Sequence, residues 1–143
     1  KMVKGRHPIA AYEFLGPKLE GKDVILIDDM ISSGKSILEI ASLLKKRGAG
    51  KIFICTTFGL FTEGMEKFDE AYQNGIFDKL LTTNLVYQTP ELLSKPYYIT
   101  CDMSKYIALI IDTLNHDMSV SHLLNPADRI KRCVSNYMAQ YEK

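Results

Sequence analysis

The sequence predicts an α/β domain built on a parallel sheet, and three observations carry the prediction. Strand-like and helix-like segments alternate along the chain, the order that sets crossover helices between parallel strands. Two of the strand-like segments are continuous β-branched and aliphatic runs, as expected of strands covered on both faces. The chain has 143 residues, 46% of them hydrophobic and 24% charged, which suits one soluble domain with a sizeable core.

The elements follow in order. Residues Ile9 to Leu15 form an apolar and aromatic run around Glu13, closed by Gly16-Pro17, and Glu20-Gly21-Lys22 is a turn. Val24-Ile25-Leu26-Ile27 reads as a strand buried on both faces, and Ser32-Ser33-Gly34 as a loop. From Ser36 the period changes: Ile37, Ile40, Ala41 and Leu44 make one apolar helix face. Lys45-Lys46-Arg47 closes that helix where cations meet the negative dipole end, and Gly48 suits its C-terminal cap. The basic triplet is therefore read as a solvated helix end rather than a phosphate patch.

Ile52 to Thr57 is the second strand. Thr62 is expected to cap a helix carrying Met65, Phe68, Ala71 and Tyr72 and ended by Asn74-Gly75. Lys79 to Thr82 and Tyr97 to Thr100 are the third and fourth strands. Asp102 precedes a helix with Met103, Tyr106, Ile107, Ile110, Ile111 and Leu114 on a stripe suited to core or subunit interface. Asn125 caps the last helix with Pro126 at its first position, and Ile130, Val134, Tyr137, Met138 and Tyr141 line one side.

Composition excludes some functions. A net charge of +1 gives no basic field for nucleic acid, so no nucleic-acid partner is expected. No apolar run approaches the ~18 residues of a membrane span, and no signal peptide is visible, so no membrane partner is expected either. Cys55, Cys101 and Cys133 are odd in number and lack a CxxC, which fits reduced thiols in a cytoplasmic protein. The polar opening from Lys1 to Pro8 reads as a cut through a longer protein or as the start of the ordered chain.

The segment that carries chemistry runs from Val24 to Ser36. A strand ends in two carboxylates, Asp28 and Asp29, and a small-residue loop then opens a helix. In open α/β sheets ligands sit beyond the carboxyl ends of the strands. A helix start offers free N–H groups and a positive dipole end, which suit a phosphate. Ser33, Gly34 and Ser36 allow close backbone approach and add hydroxyls. Asp28 and Asp29 can accept hydrogen bonds from sugar hydroxyls or hold Mg²⁺ against them. An anion cradle beside a diol clamp points to a sugar phosphate. Gly34-Lys35-Ser36 is not the end of a nucleotide P-loop, because Asp29 stands where that motif needs glycine.

These thirteen residues resemble the phosphoribosyl pyrophosphate signature of type I phosphoribosyltransferases and their relatives. Asp28-Asp29-Met30-Ile31, Asp102-Met103-Ser104-Lys105, Ser119 to Leu124, and Gly5 to Gly16 are similar to segments of ribose-phosphate pyrophosphokinases. The resemblance implies a phosphoribosyltransferase-like domain over residues 1–124, incomplete at its N-terminal side, with a helical extension over 125–143. It implies transfer of diphosphate from Mg-ATP to the 1-hydroxyl of ribose 5-phosphate, giving phosphoribosyl pyrophosphate and AMP.

Carried over, the resemblance implies that Asp28 and Asp29 face the ribose and Mg²⁺, and that Ser32, Ser33, Gly34, Lys35 and Ser36 line the 5-phosphate side. ATP and ribose 5-phosphate are the implied ligands and a homo-oligomer the implied assembly. No catalytic residue is assigned within the chain, which is expected to be inactive alone because the donor site lies upstream in that family. Two departures stand out: the family usually has a third acid where Ser32 stands, and a second glycine where Lys35 stands. They support an alternative, a non-catalytic regulatory homologue. A phosphoribosyltransferase is the other alternative, and the late-helix match argues against it.

Overall fold

The computed structural model describes residue 16 and residues 18–141, so the expected apolar run Ile9–Leu15 and the match from Gly5 lie largely outside the described residues. The element order is β1 (Val24–Ile31), α1 (Lys35–Lys46), β2 (Ile52–Gly59), α2 (Glu66–Gln73), β3 (Lys79–Thr83), α3 (Pro90–Leu93), β4 (Tyr98–Cys101), α4 (Ser104–Asn115), α5 (Ser121–Leu124) and α6 (Ala127–Tyr141). Four parallel strands lie in the order β1-β2-β3-β4, the α/β fold that the alternation of segments predicts. The packing divides the chain into two compact units, one ending at Cys101 and the other starting at Asp102.

The first unit holds the sheet. Leu26, Ile54, Leu80 and Tyr98 fall on one rung of the ladder. Ile52, Ile54 and Leu80 join Ile37, Ala41 and Leu44 of α1 and Phe68 of α2 in one buried cluster, so these helices cover that face. The opposite face differs from expectation. Ile25 is 64% and Ile27 82% exposed, so β1 is not buried on both faces. It is an edge strand of the sheet, and alternate side chains of a strand point to opposite faces.

Several boundaries shift. β1 runs on through Asp28 and Asp29 to Ile31 rather than ending at Ile27. α1 begins at Lys35, one residue before the expected Ser36. Its end is as expected: Gly48 adopts φ 84°, and Gly48 N–H and Ala49 N–H donate to the carbonyls of Lys45 and Leu44, which satisfies orphan carbonyls in the Schellman manner. Asn74-Gly75 ends α2 the same way, with Gly75 N–H and Ile76 N–H donating to Tyr72 and Ala71. Thr62 does not cap α2, whose capping residue is Met65. The short α3 was not expected from the periodicity. Its cap is Thr89, whose Oγ1 accepts from Leu92 N–H at 3.1 Å, with Pro90 at the first position.

In the second unit Asp102 Oδ1 accepts from Ser104 N–H at 2.9 Å at the start of α4, and Asn125 Oδ1 accepts from Ala127 N–H at 3.1 Å at the start of α6. Tyr106 donates its hydroxyl to the Leu123 carbonyl at 2.9 Å, and Arg129 stacks its guanidinium over the Tyr106 ring at 5.2 Å. Ile111 and Leu114 on α4, and Ile130, Val134, Tyr137 and Met138 on α6, are exposed.

Candidate functional site

The site is built where β1 gives way to α1. Asp28 and residues 30–37, from the end of β1 through the loop into the first turn of α1, line a cavity of about 160 Å³. It contains Ser32, Ser33, Gly34, Lys35 and Ser36, five of the residues singled out in the sequence. Asp29 is absent from the lining. The two acids are nonetheless linked, since Asp29 N–H donates to Asp28 Oδ1 at 2.8 Å. Both carboxylates are exposed. Among the described residues no group of three or more His, Cys, Asp or Glu side chains converges as a metal site.

Gly34 gives the loop its shape. It precedes α1 with φ 79° and has no side chain to cap the helix, which leaves first-turn N–H groups for another acceptor. Lys35 N–H makes a long contact to Ser33 Oγ at 3.5 Å. A Cβ added at Gly34 would lie 2.2 Å from Cζ of Phe68, a ring buried completely in the core. Left-handed backbone and close packing both demand glycine there. Lys35 and Ser36 are exposed.

A second loop, between β2 and α2, runs beside the first. Leu60 N–H donates to the Ile31 carbonyl at 2.8 Å and Thr62 N–H to the Ser32 carbonyl at 3.0 Å. The hydroxyls of Ser32 and Thr62 meet at 3.2 Å. Sequence reasoning missed this neighbour, because Thr62 reads locally as a helix cap.

A polar cluster beyond β3 and β4 was also missed. Gln88 Nε2 donates to the Tyr98 hydroxyl at 2.6 Å and to the Thr83 carbonyl at 3.2 Å. Gln88 Oε1 accepts from the Thr100 hydroxyl at 3.0 Å, and the Tyr98 and Thr82 hydroxyls meet at 2.5 Å. Burial pushes the Tyr98 hydroxyl pKa up, against the opposing hydrogen bonds from Thr82, Gln88 and Thr100. Thr56 shares the rung of Asp28 and Thr82, and its buried hydroxyl lacks a partner among the described residues.

The remaining charged cluster is structural. Lys95 Nζ reaches Asp69 at 2.6 Å and Glu91 at 3.3 Å, and the Tyr97 hydroxyl donates to Asp69 at 2.7 Å. Burial raises the Asp69 pKa, but the bonds from Lys95 and Tyr97 outweigh it and hold the carboxyl below its ordinary value. The bond to Asp69 pushes Lys95 up, while burial and then Asp69 push Tyr97 up.

Comparison with known proteins bears on the same chain. The model of the phosphoribosyl synthetase-associated domain matches residues 3–125. The ribose-phosphate pyrophosphokinase of Vibrio parahaemolyticus is 26% identical over 107 residues, covering 75% of this chain and 33% of that protein. The enzyme of the same name from Shewanella oneidensis is 29% identical over 107 residues, with the same shares of 75% and 33%. The chloroplastic ribose-phosphate pyrophosphokinase 2 of Oryza sativa subsp. japonica is 31% identical over 105 residues, covering 73% of this chain and 25% of that protein. The crystal structure of phosphoribosylpyrophosphate synthetase from Mycobacterium smegmatis superposes with a TM-score of 0.62 at 22% identity, covering 71% of this chain and 33% of that chain. The chain thus spans about 33% or less of the length of these relatives.

Proposed function

Because the chain belongs to the phosphoribosyl synthetase-associated domain family, we propose that it supplies the ribose 5-phosphate site of a ribose-phosphate diphosphokinase. The reaction is transfer of the diphosphoryl group of Mg-ATP to the 1-hydroxyl of ribose 5-phosphate. The 1-hydroxyl oxygen bonds to the β-phosphorus, the bond from that phosphorus to the α,β-bridging oxygen breaks, and AMP leaves. The observation that carries this reading is the single cavity shared by Asp28 and the glycine-shaped start of α1.

The chain's own contribution is binding and orientation. N–H groups and hydroxyls at Ser33, Gly34, Lys35 and Ser36 take the 5-phosphate, aided by the positive end of the α1 dipole. Asp28 accepts hydrogen bonds from ribose hydroxyls, and its backbone link to Asp29 fixes one carboxylate oxygen. Holding both ends of the sugar limits where the 1-hydroxyl can lie, and such positioning supplies much of the rate in phosphoryl transfer. Mg²⁺ fits the donor chemistry, since it binds one or two hard carboxylates together with phosphates and water. Asp28 would hold it at the cavity, whose lining does not include Asp29. Bound there, the ion would neutralise phosphate charge.

The donor site is assigned to sequence outside these 143 residues, so the chain alone is inactive in this reading. The exposed apolar side chains Ile25, Ile27 and Ile99 of the sheet, and Ile111 and Val134 of the second unit, support assembly as a homo-oligomer, and the cytoplasm is the proposed compartment. Among the described residues no helix is long and apolar enough to cross a membrane. Ser32 and Lys35 at the cavity favour a second reading, a regulatory homologue that binds ribose 5-phosphate without turnover. The test is AMP release from Mg-ATP by the full-length protein in which this chain is joined to the donor site. Release that requires ribose 5-phosphate supports the enzyme, binding without release supports the regulatory homologue, and neither outcome would survive a failure to bind ribose 5-phosphate.

A further inference from the structure

The β1–α1 loop leans on a second loop. β1 and β2 pair in register as far as Ile31 and Gly59. Beyond that point the two chains stay joined, with Leu60 N–H on the Ile31 carbonyl at 2.8 Å and Thr62 N–H on the Ser32 carbonyl at 3.0 Å. Keeping them together sends Phe61 to φ 47°, a left-handed conformation uncommon for a side chain of this size. The conformation is held by packing. The Phe61 ring meets Phe68 edge-to-face at 5.3 Å and lies where a Cβ on Gly59 would come within 2.5 Å of it. Phe68 is also the ring that lies against Gly34. One buried ring therefore supports both loops.

Thr62 is the point at which the second loop touches the site. Its hydroxyl meets that of Ser32 at 3.2 Å, and Ser32 lines the cavity. Three residues separate Thr62 from the start of α2 at Glu66, and Met65 takes the capping position, so the hydroxyl has no helix-capping duty.

We propose that Thr62 is a positioning residue for the phosphate loop, holding Ser32 by one backbone and one hydroxyl contact before ligand arrives. The proposal rests on the ribose 5-phosphate reading above. A hydroxyl pair that fixes Ser32 keeps the following N–H groups aimed at one point, which lowers the ordering cost of binding. Thr62 contributes no charge and needs no contact with the sugar phosphate.

The experiment is calorimetric titration of the same full-length protein with ribose 5-phosphate and, separately, with Mg-ATP. Thr62→Val keeps shape and the backbone N–H and removes the hydroxyl. Thr62 is exposed, so this variant keeps the fold. Loss of one neutral hydrogen bond predicts ribose 5-phosphate binding weaker by about three- to ten-fold. Mg-ATP affinity stays unchanged, and Thr62→Ser restores the sugar phosphate. Wild-type affinity in Thr62→Val, no rescue by serine, or an equal loss for Mg-ATP would each overturn the proposal. Asp28→Asn serves as the control on the parent reading. If Asp28→Asn weakens ribose 5-phosphate and Thr62→Val does not, the inference falls alone. If wild type and Asp28→Asn bind alike, or neither binds, both fall.

Discussion

Replacing Gly34 with alanine meets two separate obstacles, and their sizes follow from the structure. Gly34 has φ 79°, a left-handed conformation that costs an L-residue roughly 1–2 kcal/mol. The new methyl would also lie 2.2 Å from Cζ and 2.4 Å from Cε2 of Phe68. That ring is fully buried and packed edge-to-face against Phe61 and Phe77, so it has little room to retreat. Overpacking of this kind costs about 1–3 kcal/mol. Gly34→Ala should therefore destabilise the native protein by roughly 2–5 kcal/mol in urea unfolding. Phe68→Leu separates the two causes. In that background the steric part should shrink and the backbone part remain, leaving a double-mutant coupling of about 1–2 kcal/mol. A Gly34→Ala cost below about 1 kcal/mol, or the absence of coupling to Phe68, would refute the close-packing argument.

Two further predictions concern charge. Asp69 is held below its ordinary pKa by Lys95 and Tyr97, so its stabilisation is present above the unfolded carboxyl value and is lost as pH falls through the folded one. Lys95, held above its ordinary value, contributes below its unfolded value and loses that contribution only as pH rises through the folded one. Asp69→Asn should cost about 1–2 kcal/mol at neutral pH and flatten the acid limb of a urea-midpoint profile; a parallel acid limb would contradict the network. Lys35 is exposed at the first position of α1, so Lys35→Gly should cost at most about 1 kcal/mol of helix propensity and leave ribose 5-phosphate affinity unchanged. A clear fall in that affinity would assign the ammonium to the phosphate.

The strand–loop–helix grammar of the site was legible because each part is local. Val24 to Ile27 reads as a strand, Gly48 and Asn74-Gly75 mark helix ends, and the pairing of acids with a small-residue loop needs no knowledge of distant residues. What escaped depends on contacts across the chain. Nothing in Ile25 or Ile27 tells whether a covering layer lies on their side of the sheet, and both are exposed. Thr62 resembles a helix cap by type and position, while its partner Ser32 stands 30 positions earlier in sequence. The Thr89-Pro90 start of α3 carried a readable capping signal, but its one turn is too short for a period to register. Asp28 and Asp29 look equivalent as letters. The cavity lining, which takes in Asp28 and not Asp29, separates them.

In the proposed function one cavity recognises a phosphate and a ribose diol together. The most direct measurement is calorimetric titration of the native protein with ribose 5-phosphate, inorganic phosphate and 2-deoxyribose 5-phosphate, repeated with Asp28→Asn. Ribose 5-phosphate should bind most tightly to the wild type. Asp28→Asn should weaken ribose 5-phosphate by about 1.5–3 kcal/mol, the worth of a charge-assisted hydrogen bond, while inorganic phosphate is little affected. Equal affinities for the three ligands, or an Asp28→Asn variant indistinguishable from wild type, would contradict it.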